Sequence, residues 1–404
     1  MIPLILVGAI ISSTSTLVRR QIEKNEIKKR ISEIEKKNEE YSKFNIGIVG
    51  PSRIGKTSLI YNIIELSNKI LSNNVMIKPD YYTLIDINKY ISERNNLLNQ
   101  SEFVSDVLEA TETEKEYNLF IEKNNVKIGF TLYDFRGGLI EEADEKFDKY
   151  EKKLKNCNVI IIPTDATLIM EADTNDKKIN IQRFLHIDTV QEIMQNWSKT
   201  KINSDLPLLV ILSPIKCESY LSNEKSNELF NKTLNCYQKT IDIISKELKN
   251  KQNIEIFYSP IETLGCVDIS CIEWIYDNSN RILSYKQKFK KREPFKVNPK
   301  GGDLLLSQIS RMLLKIALEK TVENRNENIR DITNKTNEIK DSFWKNLGYN
   351  ISLDKKKNDA SYLYLTDKKN DLETIIGELE KLSNRDFEKN SYYKLFKLEE
   401  GQLK

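Results

Sequence analysis

The stretch from Ile46 to Leu59 constrains the fold of this chain more than any other part of its sequence. It reads as a short apolar strand, a loop with glycine at both ends, and a Lys-Thr pair that opens a helix. The loop matches the phosphate-binding pattern G-x-x-x-x-G-K-[ST] at every fixed position. Glycine lets the backbone approach phosphate oxygens without a Cβ in the way, and the N–H groups at the start of a helix attract anions.

The residue types give the loop positions their expected roles. Lys56 would bridge the β- and γ-phosphates of a nucleotide, and the Thr57 hydroxyl would ligate Mg²⁺. The alternative is a chance glycine-rich turn, and the strand before the loop and the helix after it argue against that alternative. The candidate nucleotide-binding residues of this stretch are Gly50, Pro51, Ser52, Arg53, Ile54, Gly55, Lys56, Thr57 and Ser58.

Composition excludes several classes of protein. The chain has 404 residues, of which 39% are apolar and 30% charged, and this suits one large globular domain with additions or two domains. With 63 basic and 60 acidic residues, the net charge of +3 gives no reason to expect nucleic-acid binding. The five cysteines form no C-x-x-C pair, which suits a reducing cytosol. The single histidine, His186, excludes a multi-histidine metal site.

Two segments precede the phosphate-binding loop. Residues 1–18 are uncharged and largely apolar, and residues 19–43 are expected to form a charged helical linker. The apolar part is shorter than the about 20 residues that a membrane span needs, and it lacks the features of a cleaved signal peptide. It is either a membrane anchor or a helix packed on the protein or a partner. As an anchor, followed by Arg19 and Arg20, it would attach a cytoplasmic protein to the inner face of the cytoplasmic membrane.

Apolar strands alternate with helices along most of the remaining chain. The expected strands cover residues 46–49, 117–122, 126–134, 159–162, 208–212 and 254–258, and the expected helices cover 59–71, 87–99, 141–156, 178–199, 222–250 and 303–339. This order predicts an α/β fold with a doubly wound, mostly parallel sheet and one antiparallel interruption at the second and third strands. Residues 270–302 are expected to be irregular, and residues 341–404 to form a helical C-terminal extension.

Asp134 and Gly137 form the second candidate site, in the sequence Asp134-Phe135-Arg136-Gly137. Asp134 ends an expected strand, and ligands bind beyond the carboxyl ends of strands in open α/β sheets. A carboxylate there can hold Mg²⁺ opposite Thr57, and the Gly137 N–H can approach a γ-phosphate. A plain strand-to-helix turn is the alternative interpretation.

The pairing of G-x-x-x-x-G-K-T with D-x-x-G resembles a Ras-like, TRAFAC-type P-loop GTPase domain. The insertion before the second strand, with Ala110-Thr111-Glu112-Thr113 leading into Tyr117, is more similar to bacterial double-GTPase-like proteins. The resemblance covers residues 44–335, is specific for these two motifs, and is loose elsewhere. It implies a GTPase-like domain over residues 44–340.

The resemblance also implies further site residues. Thr111, in preference to Thr113, would close over Mg²⁺ and the γ-phosphate. After the strand at 208–212, Lys216 would pack its stem on the base and Glu218 would take the place of the aspartate that accepts from guanine. Ile215 stands where the pattern has asparagine, and its apolar side chain cannot replace that amide. An ordinary surface threonine and plain loop charges are the alternatives for these positions.

Hydrolysis departs from the common pattern of such proteins. Gly138 stands where many GTPases have the glutamine that orients water. Arg53, inside the loop, resembles the arginine finger that guanylate-binding proteins carry in this position, and it would neutralise charge on the γ-phosphate together with Lys56. An outward-facing, solvated Arg53 is the alternative. Arg136 is a further candidate, and Glu141 or Glu142 would position water.

These features imply three hypotheses for function. The first is a GTPase switch that binds GTP with Mg²⁺, hydrolyses GTP slowly to GDP, and acts at a membrane through residues 1–18, on a protein effector or as a homodimer. The second is an ATPase of the same fold. The third is a pseudo-GTPase without turnover that works as an interaction module.

Overall fold

The computed structural model describes residues 44–51, 54–72, 74–104, 115–124, 126–136, 152–172, 180–249, 254–279, 281–293, 295–319, 360–383, 394–399 and 402–403. The expected apolar and charged segments at 1–18 and 19–43 lie outside these ranges, as does most of the helix expected at 141–156. Within the described ranges, no helix has the length and hydrophobicity that a membrane span requires.

The described elements follow one another as strands and helices, which confirms the expected α/β class. The strands are β1 Phe44–Gly50, β2 Met76–Pro79, β3 Glu102–Val104, β4 Lys115–Lys123, β5 Val126–Arg136, β6 Val159–Asp165, β7 Leu208–Ile215, β8 Ile254–Tyr258, β9 Val267–Tyr276, β10 Ile282–Lys291, β11 Lys394–Glu399 and β12 Gln402–Leu403. The helices are α1 Lys56–Asn68, α2 Tyr81–Leu97, α3 Ala166–Glu171, α4 Ile181–Phe184, α5 Ile187–Lys201, α6 Asn223–Glu247, α7 Gly302–Glu319 and α8 Ala360–Ser383.

The main sheet has nine strands in the order β12-β11-β8-β7-β6-β1-β5-β4-β2. The five central strands, from β8 to β5, run parallel, and antiparallel strands flank them on both sides. The β4–β5 pair is the expected antiparallel interruption. In the β1–β5 ladder, Ile48 lies opposite Asp134, so the register brings the end of β5 beside the start of the phosphate-binding loop.

Helices cover both faces of this sheet because its central strands are apolar on both sides. Along β6, Val159 and Ile161 belong to the core beneath α1, α7 and α8, whereas Ile160 and Ile162 belong to the core beneath α3, α5 and α6. All of these strand residues are at most 1% exposed. A continuous apolar run of this kind is typical of a parallel strand buried on both faces.

A second, three-stranded antiparallel sheet in the order β3-β10-β9 corrects the expectation that residues 270–302 are irregular. Lysines alternate along β10 with inward-facing residues, of which Gln287 and Phe289 are buried. Phe289 stacks on Phe103 of β3, with their ring centroids 5.7 Å apart. The expectation failed because the lysine-rich composition concealed the alternation of buried and exposed residues.

The C-terminal part, which the sequence predicted to be mostly helical, also contains strands. Helix α8 is present, but β11 then pairs antiparallel with β8 and extends the main sheet. Helix α8 is held to the domain by Glu378, whose carboxylate accepts from the Ser72 N–H at 3.0 Å and the Ser72 hydroxyl at 2.9 Å. The described C-terminal residues therefore pack as part of the α/β body.

Two expected helices have different limits. Helix α2 begins at Tyr81, six residues before the expected start, because the Asp80 side chain caps it by accepting from the Thr83 N–H at 2.8 Å. The helix expected at 178–199 is divided at His186, whose φ of 51° interrupts it between α4 and α5.

Candidate functional site

The loop between β1 and α1 ends at Gly55, whose backbone has the left-handed conformation that glycine adopts most readily. Gly55 has a φ of 109° and caps α1, and the Leu59 N–H donates to its carbonyl at 3.0 Å. A Cβ added there would lie 2.9 Å from Ile215 Cδ1. Ile215, the residue in the expected asparagine position, thus packs against the loop. The first N–H groups of a helix have no partner within the helix and can bind an anion.

Lys56 and Asp134 form a buried ion pair at the centre of the site. Lys56 Nζ lies 2.7 Å from Asp134 Oδ1, and the two side chains are 6% and 3% exposed. The same ammonium donates to the carbonyls of Gly50 at 3.0 Å and Pro51 at 3.2 Å. Because a buried charge is costly without a counter-charge, the cation of Lys56 and the anion of Asp134 neutralise each other in this state.

Thr57 supplies a hydroxyl beside this pair. Its Oγ1 lies 3.4 Å from the hydroxyl of Tyr117, which enters the site from β4. Thr57 and Asp134 offer oxygen ligands, the kind that Mg²⁺ prefers. The Asp134 carboxylate is already paired with a positive charge, the ammonium of Lys56. The residues therefore fit Mg²⁺ bound with a phosphate ligand. The described ranges contain no group of three or more His, Cys, Asp or Glu side chains that would hold a metal ion without such a ligand.

A cavity adjoins the loop on the side of α2 and the small sheet. Its volume is about 70 Å³, well below the roughly 300–1,000 Å³ that is usual for ligand pockets, and it is partly open to solvent. Six apolar side chains provide most of its wall: Leu97, Leu98, Phe103, Leu264, Val267 and Phe289. The remaining lining residues are Gly55, Ser58, Tyr90, Arg94, Lys216, Glu218 and Thr263. The mostly apolar lining is chemically suited to a flat, mostly apolar ring, for which the cavity would have to widen.

Lys216 lines this cavity, but its ammonium is directed to protein partners. Its Nζ donates to Asp165 Oδ2 and to Gln287 Oε1, each at 2.7 Å. Gln287 in turn donates to Asp165 Oδ1 at 3.0 Å and to the Thr167 hydroxyl. The Lys216 ammonium thus connects the main sheet to the small sheet, and the expected role of its stem stays a prediction.

The same pairing controls the protonation of Asp165. Burial alone would raise the pKa of this carboxyl, but the charge and hydrogen bond of Lys216, with the hydrogen bonds from Thr167 and Leu168, outweigh it and hold the pKa below its ordinary value. The resulting stabilisation is fully present above the unfolded-state pKa and is lost as the pH falls through the lower folded-state pKa.

Replacing Lys216 with methionine is therefore expected to lower the free energy of unfolding at pH 7 by about 3–5 kcal/mol, because the Asp165 charge would stay buried without its partner. The deficit should shrink as the pH falls below the unfolded-state pKa of 3.8, because the stabilisation of the charged carboxylate is lost as the pH falls through the lower folded-state pKa. Urea unfolding at about pH 7 and at about pH 3 measures this. Lys69→Met, in an exposed pair with Glu65, is the matched control and should change stability by less than about 0.5 kcal/mol. An equal deficit at both pH values would contradict the assignment.

Glu218 is built into the cavity wall. Its Oε1 accepts from the Thr263 hydroxyl at 3.0 Å, the Leu264 N–H at 2.7 Å and the Gly265 N–H at 3.3 Å. Burial raises the pKa of this carboxyl above its ordinary value. Its second oxygen, Oε2, is buried and has no hydrogen-bond partner among the described residues. The carboxylate thus holds the loop after β8 through Oε1 and keeps Oε2 as a reserve acceptor within the cavity wall.

The other expected site residues divide into two groups. Pro51 and Ile54 are buried at the base of the loop, and Ser58 is buried at the cavity. Five positions lie outside the described residues: Ser52, Arg53, Thr111, Gly137 and Gly138. Their expected roles remain predictions, as do those of Glu141 and Glu142.

The sequence did not predict four residues of the site as site residues: Arg94, Tyr117, Asp165 and Gln287. Arg94 lines the cavity, and its guanidinium lies 4.9 Å from the centre of the Tyr61 ring. Asp165 had a detectable signal, since it ends an apolar strand next to β7. The other three belong to no sequence motif and reach the site through tertiary packing.

Comparison with known proteins adds no assignment. Neither a scan against protein-family models nor a search of curated proteins found a match to this chain.

Proposed function

We propose that this chain is a P-loop GTPase that binds GTP with Mg²⁺, hydrolyses it slowly to GDP, and acts as a nucleotide-dependent switch. One observation carries the proposal: Lys56, in the first turn of α1 behind a left-handed Gly55, meets Asp134 from the neighbouring strand at 2.7 Å. In this proposal Lys56 binds phosphate and Asp134 binds the metal. The ion pair that supports it lies at the carboxyl edge of a parallel sheet, where ligands bind in such folds.

The phosphates would lie on the loop between Gly50 and Thr57. The N–H groups at the start of α1 would donate to them, and Lys56 would exchange its carbonyl partners for phosphate oxygens. Thr57 and Asp134 would hold Mg²⁺, whose charge neutralises the phosphates and the charge that develops during phosphoryl transfer. Arg53 and Thr111 complete the proposed site: Arg53 as a cation toward the γ-phosphate, and Thr111 as a further ligand of the metal.

The base would enter the cavity between α2 and the small sheet. This cavity begins at Gly55 and Ser58, so a ring placed there is continuous with phosphates on the loop. The reserve acceptor of Glu218 would receive guanine N–H donors after a small movement of the side chain, and the Lys216 stem would pack on the ring.

Filling the cavity tests this placement. Leu264→Trp is expected to weaken GTP binding at least tenfold, because the indole would occupy the space of the base, while binding of inorganic tripolyphosphate should change less than twofold. Competition against a fluorescently labelled GTP analogue measures the affinities for GTP and for tripolyphosphate. Leu283→Trp, at a 53% exposed position of β10, is the matched control. An equal loss for both ligands would show that the cavity does not hold the base.

An ATPase of the same fold is the second candidate, and the hydrogen bonds of Glu218 favour it. Three protein donors already occupy Oε1, and Ile215 replaces the amide expected beside it. A competition between GTP and ATP separates the two. If guanine is read by the carboxylate, Glu218→Gln should reduce a GTP preference at least tenfold, since the amide places a donor toward the donors of guanine. Equal affinities in the wild type would favour the ATPase.

The partners and location belong to the same proposal. Residues 1–18 would attach the switch to the inner face of the cytoplasmic membrane, and a homodimer or a protein effector would respond to the nucleotide. Fractionation of the full chain beside a chain without residues 1–18 tests the attachment.

A further inference from the structure

We infer that Tyr117 is a positioning residue for the Thr57 hydroxyl and strengthens the binding of a divalent cation together with nucleotide. The inference rests on the proposed function and adds to it a residue that belongs to neither nucleotide motif.

The geometry places Tyr117 beside the metal-binding hydroxyl. Its side chain is 0% exposed, and its Oη lies 3.4 Å from Thr57 Oγ1. In the β4–β5 ladder, Tyr117 lies opposite Leu132, two residues before Asp134. The phenol thus approaches from a strand, whose position is fixed by the sheet.

The hydrogen-bonding capacity of a hydroxyl explains how this contact would act. Thr57 Oγ1 has one proton and two lone pairs. When one lone pair binds a cation, the proton must point away from that cation, and Tyr117 Oη is placed to accept it. The contact would therefore select the side-chain rotamer in which the Thr57 oxygen faces the metal. Without the phenol oxygen, that rotamer loses its hydrogen bond and the metal is held less well.

Tyr117→Phe removes this one oxygen and leaves the ring in its core. We expect the affinity for GTP without Mg²⁺ to change less than twofold, and the gain in affinity on adding Mg²⁺ to fall about three- to tenfold, the effect of one net hydrogen bond. Tyr237→Phe, at another 0% exposed tyrosine, is the matched control and should leave the Mg²⁺ gain unchanged. Titrating a fluorescent GTP analogue over a Mg²⁺ series measures the gain, and thermal unfolding reports any structural effect.

A double-mutant cycle makes the test specific to the contact. In a Thr57→Ala background, Tyr117→Phe should have no further effect on the Mg²⁺ gain. Additive losses, or a Tyr117→Phe variant with an unchanged gain, would overturn the inference while the wild-type titration still supports the proposed function. A wild type that binds no nucleotide overturns both.

Discussion

Replacing Lys56 with methionine is expected to weaken GTP binding at least a hundredfold. Among the described residues, Lys56 is the one positively charged side chain that we assign to the phosphates. A hydrogen bond to a charged group contributes about 1.5–3 kcal/mol. Two such bonds to phosphate account for the loss. The measurement is an equilibrium titration with a fluorescent GTP analogue. Lys69→Met, directly after the end of α1 and in an exposed pair with Glu65, should bind as the wild type does.

The ion pair with Asp134 gives this experiment an internal control. Lys56→Met leaves a carboxylate that is 3% exposed without its partner, so stability should fall by about 3–5 kcal/mol. Adding Asp134→Asn neutralises that carboxylate and should restore most of the stability without restoring binding. A double variant that folds well and still fails to bind separates the role of Lys56 in binding from its role in the fold. Wild-type affinity in either variant would contradict the site.

Asp134→Asn alone has the second large effect, and its sign depends on Mg²⁺. In the state described here, the carboxylate competes with phosphate for Lys56 across a 2.7 Å contact. Removing its charge releases the lysine, so the affinity for GTP without Mg²⁺ should rise about three- to tenfold, because an ion pair need no longer be broken. With Mg²⁺, the affinity should fall at least tenfold below that of the wild type, because a ligand of the metal is lost.

The two arms of this experiment are measured in the same titration, once with excess Mg²⁺ and once with EDTA. Glu65→Gln, on α1 and in the ion pair with Lys69, is the matched control and should follow the wild type in both. If Asp134→Asn lowers the affinity for GTP in EDTA, the account is contradicted. In that account, binding of metal and triphosphate separates Lys56 from Asp134.

The sequence predicted the centre of the site because short motifs specify it. Lys56 and Thr57 follow from the loop pattern, and Asp134 from its position at the end of an apolar strand. Their meeting in space could be anticipated, since parallel strands end at one edge of the sheet and β1 lies beside β5.

The walls of the site could not be predicted in the same way. Tyr117 and Gln287 reach it from strands whose pairing depends on contacts far apart in the sequence. The small sheet was missed because lysines on β10 and mixed residues on β9 hide the period of two that identifies a strand. Strand β11 was missed for a related reason, since it is a short, charged addition whose pairing with β8 is set by tertiary structure.

The most direct test of the central claim is the titration of the wild-type chain with a fluorescent GTP analogue, in excess Mg²⁺ and in EDTA, with unlabelled GTP and ATP as competitors. The account predicts saturable binding that Mg²⁺ tightens and that GTP displaces at lower concentration than ATP. Absence of binding under both conditions would contradict the claim that Lys56, Thr57 and Asp134 form a nucleotide site.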